Sequence, residues 1–259
     1  MKILISSFTA SLLLASGVLA APVDLSGWSV EQGPGAQPAG NWSLAPDNNS
    51  VTQTVNSQVS VFYDGAASSQ GKALSGTIRV NTSFDDDFVG FVLGMDAGEV
   101  DGSAGTVDYW LVDWKQGNQT YLDTLGEAGL SLSHVTGSTL AEQDFWGHIG
   151  VLSEKKTATN LGATGWNDLQ TYTFELIFTE TLIEVSVDGV KEISYTSAEH
   201  GSLFKDGGFG FYNYSQGNVT YAGIEEEPAP PSTVPLPAGM PLLLAGLGGL
   251  GLLGHRKRS

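Results

Sequence analysis

The fold is decided by the stretch from Tyr172 to Tyr195, which is YTFELIFTETLIEVSVDGVKEISY. Apolar residues occupy every second position over 172–178 and again over 183–187, with Ile177 as the one exception. Such alternation is typical of β-strands that bury one face. The Asp188-Gly189 pair favours a tight hairpin turn into a further strand, Val190–Tyr195. The stretch therefore predicts three consecutive antiparallel strands.

The same signal recurs outside this stretch. Residues 74–80 and 209–212 alternate in the same way, and Phe88–Met95 is an apolar run of strand length. No stretch of the middle of the chain keeps a 3.6-residue apolar stripe over three helical turns. Strands at this spacing, joined by short turns, predict an all-β fold, an antiparallel β-sandwich or jelly roll.

The composition excludes several function classes. The chain has 259 residues with 28 acidic and 11 basic side chains, a net charge of −17. Four of the basic residues lie at the two ends, which leaves seven basic against 28 acidic side chains between them. Such a surface repels phosphate backbones, so we expect no nucleic-acid partner. Cysteine is absent, which excludes disulfides, thiolate metal sites and cysteine nucleophiles.

The N-terminus has the features of a secretion signal. A basic residue precedes the apolar core Ile3–Leu14, and Val18-Leu19-Ala20 forms a small-residue cleavage site. We expect a signal peptide over residues 1–20 and export across the inner membrane. The folded domain is then expected to span residues 21–224, followed by an acidic, Pro-rich linker over 225–233.

The segment 234–259 combines a short motif, an apolar run and a basic end. The motif is Val234, Pro235, Leu236, Pro237 and Ala238, and the uncharged run continues to Gly254. Its length predicts a membrane helix with the basic end on the cytoplasmic side. A plain anchor is one interpretation, but the order more closely resembles the VPLPA-type variant of PEP-CTERM sorting tails of Gram-negative bacteria. That resemblance implies an exosortase-type processing enzyme and the inner membrane as partners, and release to the cell surface or extracellular matrix.

The most informative polar cluster is Asp85-Asp86-Asp87, between the predicted strands 74–80 and 88–95. Adjacent carboxylates repel one another, and a cation at the turn relieves that repulsion. Hard oxygen ligands suit Ca²⁺, so we predict a calcium site here, although an acidic turn by itself is usually only solvated.

The sequence offers little for catalysis. It contains no nucleophile elbow, phosphate-binding loop or zinc-protease motif, and its histidines share no ligand spacing. Glu99-Val100-Asp101 resembles part of the Glu-x-Asp-x-x-Glu motif of sandwich-fold glucanases, but position 104 is alanine. We therefore interpret this stretch as a solvated acidic loop. Four tryptophans, Trp110, Trp114, Trp146 and Trp166, are more typical of core than of sugar-stacking platforms.

Several short motifs follow one another along the chain. They are Asn41-Trp42, QTVN at 53–56, DDDFVGFVLG at 85–94, WKQ at 114–116, QTY at 119–121, GWND at 165–168 and FGFYNYSQ at 209–216. In this order, and over residues 28–224, they resemble the thrombospondin C-terminal domain family. The resemblance implies a lectin-like β-sandwich of the concanavalin A/laminin-G type, with calcium bound at Asp85–Asp87. It also implies an adhesive matrix protein that is not an enzyme.

Two departures from the family pattern bear on the calcium prediction. The loop 95–108 is longer and more acidic here, and the calcium-binding repeats that precede the domain in animals do not occur in this sequence. Any ion must therefore be held by the domain itself. We interpret the protein as an exported calcium-binding adhesion module whose partner is an extracellular polysaccharide or a surface protein. A lectin with a defined sugar site is the alternative, and a glycoside hydrolase is a weaker one.

Overall fold

The structure, a computed structural model, describes residues 20–34, 38–65 and 68–230. The predicted signal peptide up to residue 19 and the predicted sorting tail lie outside the described residues. The chain divides into a unit that ends at Ala229 and a second unit that starts at Pro230, and all the elements below belong to the first.

Strands dominate the described residues. In chain order they begin with β1 (Ala21–Pro22), β2 (Ser29–Gln32), β3 (Trp42–Leu44), β4 (Ser50–Gln53), β5 (Ser60–Tyr63), β6 (Lys72–Val80), β7 (Phe88–Met95), β8 (Val107–Lys115) and β9 (Gln119–Tyr121). They continue with β10 (Thr124–Gly126), β11 (Gly129–Gly137), β12 (Leu152–Thr157), β13 (Thr171–Phe178), β14 (Leu182–Val187), β15 (Val190–Thr196), β16 (Gly208–Tyr214) and β17 (Val219–Pro228). The helices described are short: α1 (Glu142–Gly147), α2 (Ser197–His200) and a 3-10 turn, Leu25–Gly27.

The strands form two sheets that pack face to face. Sheet A has the order β15-β14-β13-β6-β17-β4-β3, with β1 paired to β17. Sheet B has the order β12-β11-β8-β7-β16-β5-β2, and β9 and β10 form a separate hairpin. The strand pairs described are antiparallel. The prediction of an all-β antiparallel sandwich is confirmed.

The stretch that decided the fold forms the β13–β14–β15 edge of sheet A. Its alternating apolar residues face sheet B and join the inter-sheet core. Asp188 and Gly189 both have positive φ, 50° and 74°, as the predicted two-residue turn requires. β7 has the predicted bounds.

The central strands of sheet B, β7, β8 and β16, are buried on both faces, which the sequence did not predict. Along β7, Val89, Phe91 and Leu93 face sheet A, whereas Phe88 and Val92 join a second apolar cluster. Because neighbouring strand residues point to opposite faces, this cluster lies on the outer face of sheet B. Phe145 and Trp146 of α1, and residues of the β7–β8 loop, cover it.

The end of α1 fixes that helix on sheet B. His148 follows the helix with φ at 50°, and its backbone N–H donates to the carbonyl of Asp144. Its imidazole Nε2 lies 2.8 Å from the carboxylate of buried Asp113 on β8. Burial lowers the pKa of His148, but the Asp113 carboxylate outweighs it and raises the pKa to about 10. The charged imidazole therefore holds α1 against the sheet.

The domain extends beyond the predicted boundary at residue 224. β17 runs to Pro228, and Glu225–Pro228 pair with Lys72–Ser75 of β6. Glu226 also forms an ion pair with Lys72 at 3.1 Å. Residues 225–228, assigned to the linker from their composition, thus belong to sheet A because their backbone completes the ladder. Among the described residues, no helix is long and apolar enough to cross a membrane.

Candidate cation site at the acidic turn

The backbone of the acidic turn, Asp85–Asp87, is held in place by hydrogen bonds from three neighbouring segments. The N–H groups of Gln116 and Gly117 donate to the carbonyl of Asp86 at 3.1 and 3.4 Å. The N–H of Asp87 donates to the side-chain oxygen of buried Gln216 at 3.1 Å. The indole N–H of Trp166 donates to the carbonyl of Asp87, also at 3.1 Å. The turn therefore presents its carboxylates from a fixed backbone.

The structure brings the three predicted ligands together. One carboxylate oxygen from each of Asp85, Asp86 and Asp87 lies within 4.8 Å of the others. Asp85 and Asp86 are partly exposed, whereas Asp87 is only 3% exposed. The amide of Asn56 donates to Asp85 at 2.5 Å.

A lysine that sequence analysis did not assign to the site is the cation nearest the turn. Lys115, at the end of β8, is fully buried, and its Nζ lies 2.5 Å from Oδ1 of Asp87 and 3.7 Å from Oδ1 of Asp86. It also donates to the Asp86 carbonyl at 3.1 Å. Its ammonium lies 4.6 Å from the ring centre of Trp146 and 5.1 Å from that of Phe88. Lys115 is thus a buried counter-ion of the acidic turn, and its ammonium also contacts two aromatic rings.

One ammonium does not neutralise three carboxylates. Lys115 contacts Asp87 and Asp86, and a formal charge of −2 is left at the turn. Burial of Asp85 and the nearby carboxylate of Asp87 raise the pKa of Asp85 to about 6. With its nitrogen turned toward the aspartates, the Gln119 amide donates to Asp86 and Asp87 at 3.2 and 3.0 Å. The remaining charge and the hard oxygen donors fit a divalent cation such as Ca²⁺.

The acidic segment 96–108, which comprises the β7–β8 loop and the first two residues of β8, is arranged differently. Glu99 is buried, and its two oxygens accept the backbone N–H groups of Asp96 and Asp108 at 2.6 and 2.8 Å. Lys205 Nζ adds an ion pair to Glu99 at 2.9 Å. Glu31 of β2 accepts the N–H groups of Gly98 and Val100 in the same loop. The interpretation of Glu99 as solvated was wrong, because its carboxylate organises the loop from inside.

The four tryptophans are core residues, as their residue type favours. Each is at most 4% exposed: Trp110, Trp114, Trp146 and Trp166. The indole N–H groups of Trp114, Trp146 and Trp166 donate to backbone carbonyls. None of these four rings presents an open face to a sugar.

A cleft of about 310 Å³ adjoins the acidic turn. We call it the aromatic cleft. Its lining includes the acidic residues Asp85, Asp87 and Glu142 and the aromatic residues Tyr121, Trp146 and Tyr214. Of these aromatic residues Tyr121 is exposed, whereas Trp146 and Tyr214 are buried. These residues come from the turn, from α1, from β9 and from the end of β16, so no local motif reveals the cleft.

The comparisons with known proteins agree with this architecture. A family model described as thrombospondin C-terminal region matches residues 37–228. Thrombospondin-3b of Danio rerio is 27% identical over 198 residues, which are 71% of this chain and 20% of that protein. Cartilage oligomeric matrix protein of Homo sapiens is 25% identical over 197 residues, 71% of this chain and 25% of that protein. This chain thus matches about a quarter or less of the length of these two relatives.

A solved structure shows the same fold. The carbohydrate-binding module CBM66 from Bacillus subtilis has a TM-score of 0.51 at 11% identity, over 78% of this chain and 95% of that one. The fold and the turn together define a lectin-like jelly-roll sandwich with an acidic, partly neutralised turn at one end of sheet B. Within that class, the chain belongs to the thrombospondin C-terminal region family.

Proposed function

We propose that the protein is an exported, calcium-binding β-sandwich that acts as an adhesion or interaction module at the cell surface or in the extracellular matrix. The observation that carries the proposal is the acidic turn, where three carboxylates lie together on a fixed backbone and one buried ammonium contacts only two of them. Asp85, Asp86 and Asp87 would hold the ion. Calcium would neutralise the remaining charge and tie the β6–β7 connection to the loop after β8.

The partner we propose is an extracellular polysaccharide or a surface protein. Family membership and relatives that include a cartilage matrix protein support this class of function. The match to those relatives covers only their C-terminal region. The partner of this chain therefore has to be argued from the residues on its own surface.

Sugar binding is the alternative that the fold allows. The structural similarity to a carbohydrate-binding module supports it. Because the four tryptophans are buried, the aromatic contact would come from an exposed ring such as Tyr121 or Phe84, which are 41% and 82% exposed. A glycan array separates the two: one defined oligosaccharide bound in the low micromolar range favours the lectin, and no binding favours the adhesion module.

We expect no glycoside hydrolysis. Hydrolases of this kind need two free carboxyl groups about 5–9.5 Å apart. Both oxygens of Glu99 are engaged by backbone N–H groups and Lys205. β-Glucan turnover that is lost in Glu99→Gln would contradict this expectation.

We further propose that the tail directs sorting. The support is the order of Val234–Ala238, apolar run and basic end in the sequence. An exosortase-type enzyme in the inner membrane would remove the tail and release the domain. The intact mass of the exported protein tests this, because a mass that includes Ser259 excludes cleavage.

Calorimetry with and without calcium tests the calcium proposal. Extracellular modules commonly bind Ca²⁺ with a Kd of about 0.1–1 mM, so ~10 mM calcium stabilises by roughly 1.4–2.7 kcal/mol. We expect the melting temperature to rise by about 3–10 °C and to fall back with chelator.

The variant should be Asp86→Asn, which removes one ligand from a partly exposed position. Asp87→Asn is unsuitable because it leaves Lys115 buried without its carboxylate. Asp47→Asn, at an exposed turn, is the matched control and should keep the full calcium response. An equal melting temperature of the wild-type protein in calcium and in chelator would contradict the proposal.

A further inference from the structure

A second cleft, of about 350 Å³, lies beside the end of α1. We call it the edge cleft, because β11 and the edge strand β12 of sheet B form one wall, and β10 and α1 contribute the other. Its volume is within the range of small-ligand pockets, about 300–1,000 Å³. Buried Trp146 lines both this cleft and the aromatic cleft.

A bulge in β12 directs the side chains of the first wall. Ser131 pairs with Thr157 and Ser133 pairs with Glu154, and the register shift between these pairs skips Lys155. Cross-strand partners point to the same face of a sheet, so Glu154 and Thr157 share a face although they are three residues apart. The bulge therefore places a carboxylate and a hydroxyl on the face that Ser131 occupies.

Buried Asp113 organises the floor of the edge cleft. Its carboxylate accepts a hydrogen bond from Oγ of Ser131 at 3.1 Å and lies 2.8 Å from Nε2 of His148. On the other edge of the ring, Nδ1 of His148 lies 3.5 Å from Oε2 of Glu154. Burial lowers the pKa of His148, but the carboxylates of Asp113 and Glu154 raise it well above neutrality, so Nδ1 also carries a proton. The cleft therefore offers an N–H donor next to a carboxylate acceptor.

The charges at the edge cleft disfavour ionic ligands. Among the described residues that line it, two are acidic, Glu127 and Glu154, and one is a cation, His148. The carboxylates repel an anion. An ammonium group at the floor would lie beside the charged imidazole and is repelled as well. A neutral ligand with hydrogen-bonding groups therefore fits this cleft.

The remaining features match a sugar ring. A pair of adjacent hydroxyl groups can accept from Nδ1 of His148 and donate to Glu154, and sugars carry such pairs whereas amino-acid side chains do not. The exposed hydroxyl of Thr157 adds a further hydrogen-bonding partner. Leu125 and Ile149 line the same cleft and are 47% and 43% exposed, so apolar surface is available for the C–H face of a ring.

We propose that the edge cleft binds a neutral sugar ring of an extracellular polysaccharide through two adjacent hydroxyl groups. His148 would donate to one hydroxyl, and Glu154 would accept from the other. Leu125 and Ile149 would contact the ring, and Asp113 is a positioning residue for His148. The inference rests on the proposed function and selects the polysaccharide as the partner.

The experiment is an NMR titration of the full-length protein at neutral pH, in calcium and separately in chelator. The probes are the methyl glycosides of glucose, galactose and mannose. Methyl glucuronide is the anionic comparison, glucosamine the cationic one, and a capped serine–asparagine dipeptide stands for a polypeptide. Cyclohexanol, a ring with a single hydroxyl, tests the need for an adjacent pair.

We expect saturable binding of at least one neutral glycoside, with a Kd of about 1 mM, and none of cyclohexanol. The amide signals that shift should be those of residues in the edge cleft, such as Ser131, His148 and Thr157.

Three variants localise the binding. Glu154→Gln should weaken it about tenfold, because a charge-assisted hydrogen bond is lost. Thr157→Val should weaken it about two- to fivefold through the lost hydroxyl. Glu175→Gln, at an exposed position of sheet A outside the cleft, is the matched control and should bind as wild type. Melting temperatures confirm that each variant is folded.

Several outcomes would overturn the proposal. They are the absence of saturable shifts in the cleft with all three neutral glycosides, unchanged binding by Glu154→Gln, and equal binding of cyclohexanol. Tighter binding of the glucuronide, glucosamine or the dipeptide would also overturn it, by assigning an anion, a cation or a polypeptide to the cleft.

The calcium proposal is tested independently, because Asp86 does not line the edge cleft. A calcium-dependent melting shift without glycoside binding would contradict this inference alone. Glycoside binding without such a shift would contradict only the calcium proposal.

Discussion

Strand β7 has an acidic segment at each end, and the two segments differ in how their carboxylates are neutralised. The loop 96–108 follows the strand. In it, Glu99 accepts hydrogen bonds from backbone N–H groups and forms an ion pair with Lys205, and Asp108, already in β8, lies 2.7 Å from His134. Hydrogen bonds from Ser103 lower the pKa of Asp101. At the turn before the strand, burial and Asp87 raise the pKa of Asp85 instead.

The difference shows that acidic composition does not by itself indicate a metal site. The segment 96–108 is the more acidic in sequence, but its own N–H groups, together with Lys205 and His134 from outside the segment, bind its carboxylates. The turn is shorter and has three carboxylates, but the ammonium of Lys115 forms ion pairs with only two of them, Asp86 and Asp87. The number of partners in the fold, rather than the number of aspartates, therefore separates a structural segment from a candidate binding site.

The largest effect is expected from Lys115→Met. Removing the buried ammonium leaves Asp87 buried without a counter-ion, and breaking such a pair costs about 3–5 kcal/mol. Urea denaturation in chelator measures the loss. Lys115→Met combined with Asp87→Asn should recover part of the lost stability, since neither charge of this buried pair then remains.

The double variant also covers the case in which the single variant does not fold. Calcium should restore more stability to Lys115→Met than to the wild-type protein, because the turn then carries three uncompensated carboxylates. A single variant as stable as wild type in chelator would mean that Lys115 is not the counter-ion of the turn.

Glu99→Gln tests the other end of β7 and should have a smaller effect. The amide places a nitrogen toward one of two backbone N–H groups and removes the charge that faces Lys205. Such losses cost about 1–3 kcal/mol. The melting shift caused by calcium should stay the same, and a reduced shift would show that the loop belongs to the ion site.

The smallest effect concerns the pH dependence at the turn. Because the pKa of Asp85 rises from 3.8 to about 6, the folded protein keeps a proton that the unfolded chain releases. This contribution to stability is complete below pH 3.8 and is lost as the pH rises through about 6. The proton competes with calcium, so calcium should bind about tenfold more weakly at pH 5 than at pH 7.5.

Titration calorimetry at the two pH values measures this difference. In Asp85→Asn the difference should shrink, since the group that takes up the proton is absent. A wild-type affinity that is the same at both pH values would remove Asp85 from the ligand set.

Much of the fold could be predicted because its signals are local. Alternation gave the strands β6, β13 and β14, and the Asp188-Gly189 pair gave the hairpin. The second apolar cluster could not be predicted in this way. It depends on α1, a six-residue helix whose residues have no periodicity to detect, packing on the far face of sheet B.

The candidate site was predicted only in part for a similar reason. Three adjacent aspartates are visible in the sequence, but the burial of Lys115 depends on its pairing opposite Phe88 and on Trp146 from α1. A lysine at the end of an apolar strand ordinarily reaches solvent. The aromatic cleft needs residues from segments far apart in the chain, so only the folded arrangement reveals it.

The course of β17 determines how the domain would respond to tension. Val219 pairs with Val80 at the end of β6 that leads into the acidic turn, and Pro228 pairs with Lys72 at the other end. A pull at Pro228 against a partner held at the turn therefore runs along the strand. Under that pull β17 must slide past β6 and β4, so its backbone hydrogen bonds are sheared together instead of opening one by one. Resistance of this kind slows forced unfolding, which is governed by the unfolding rate.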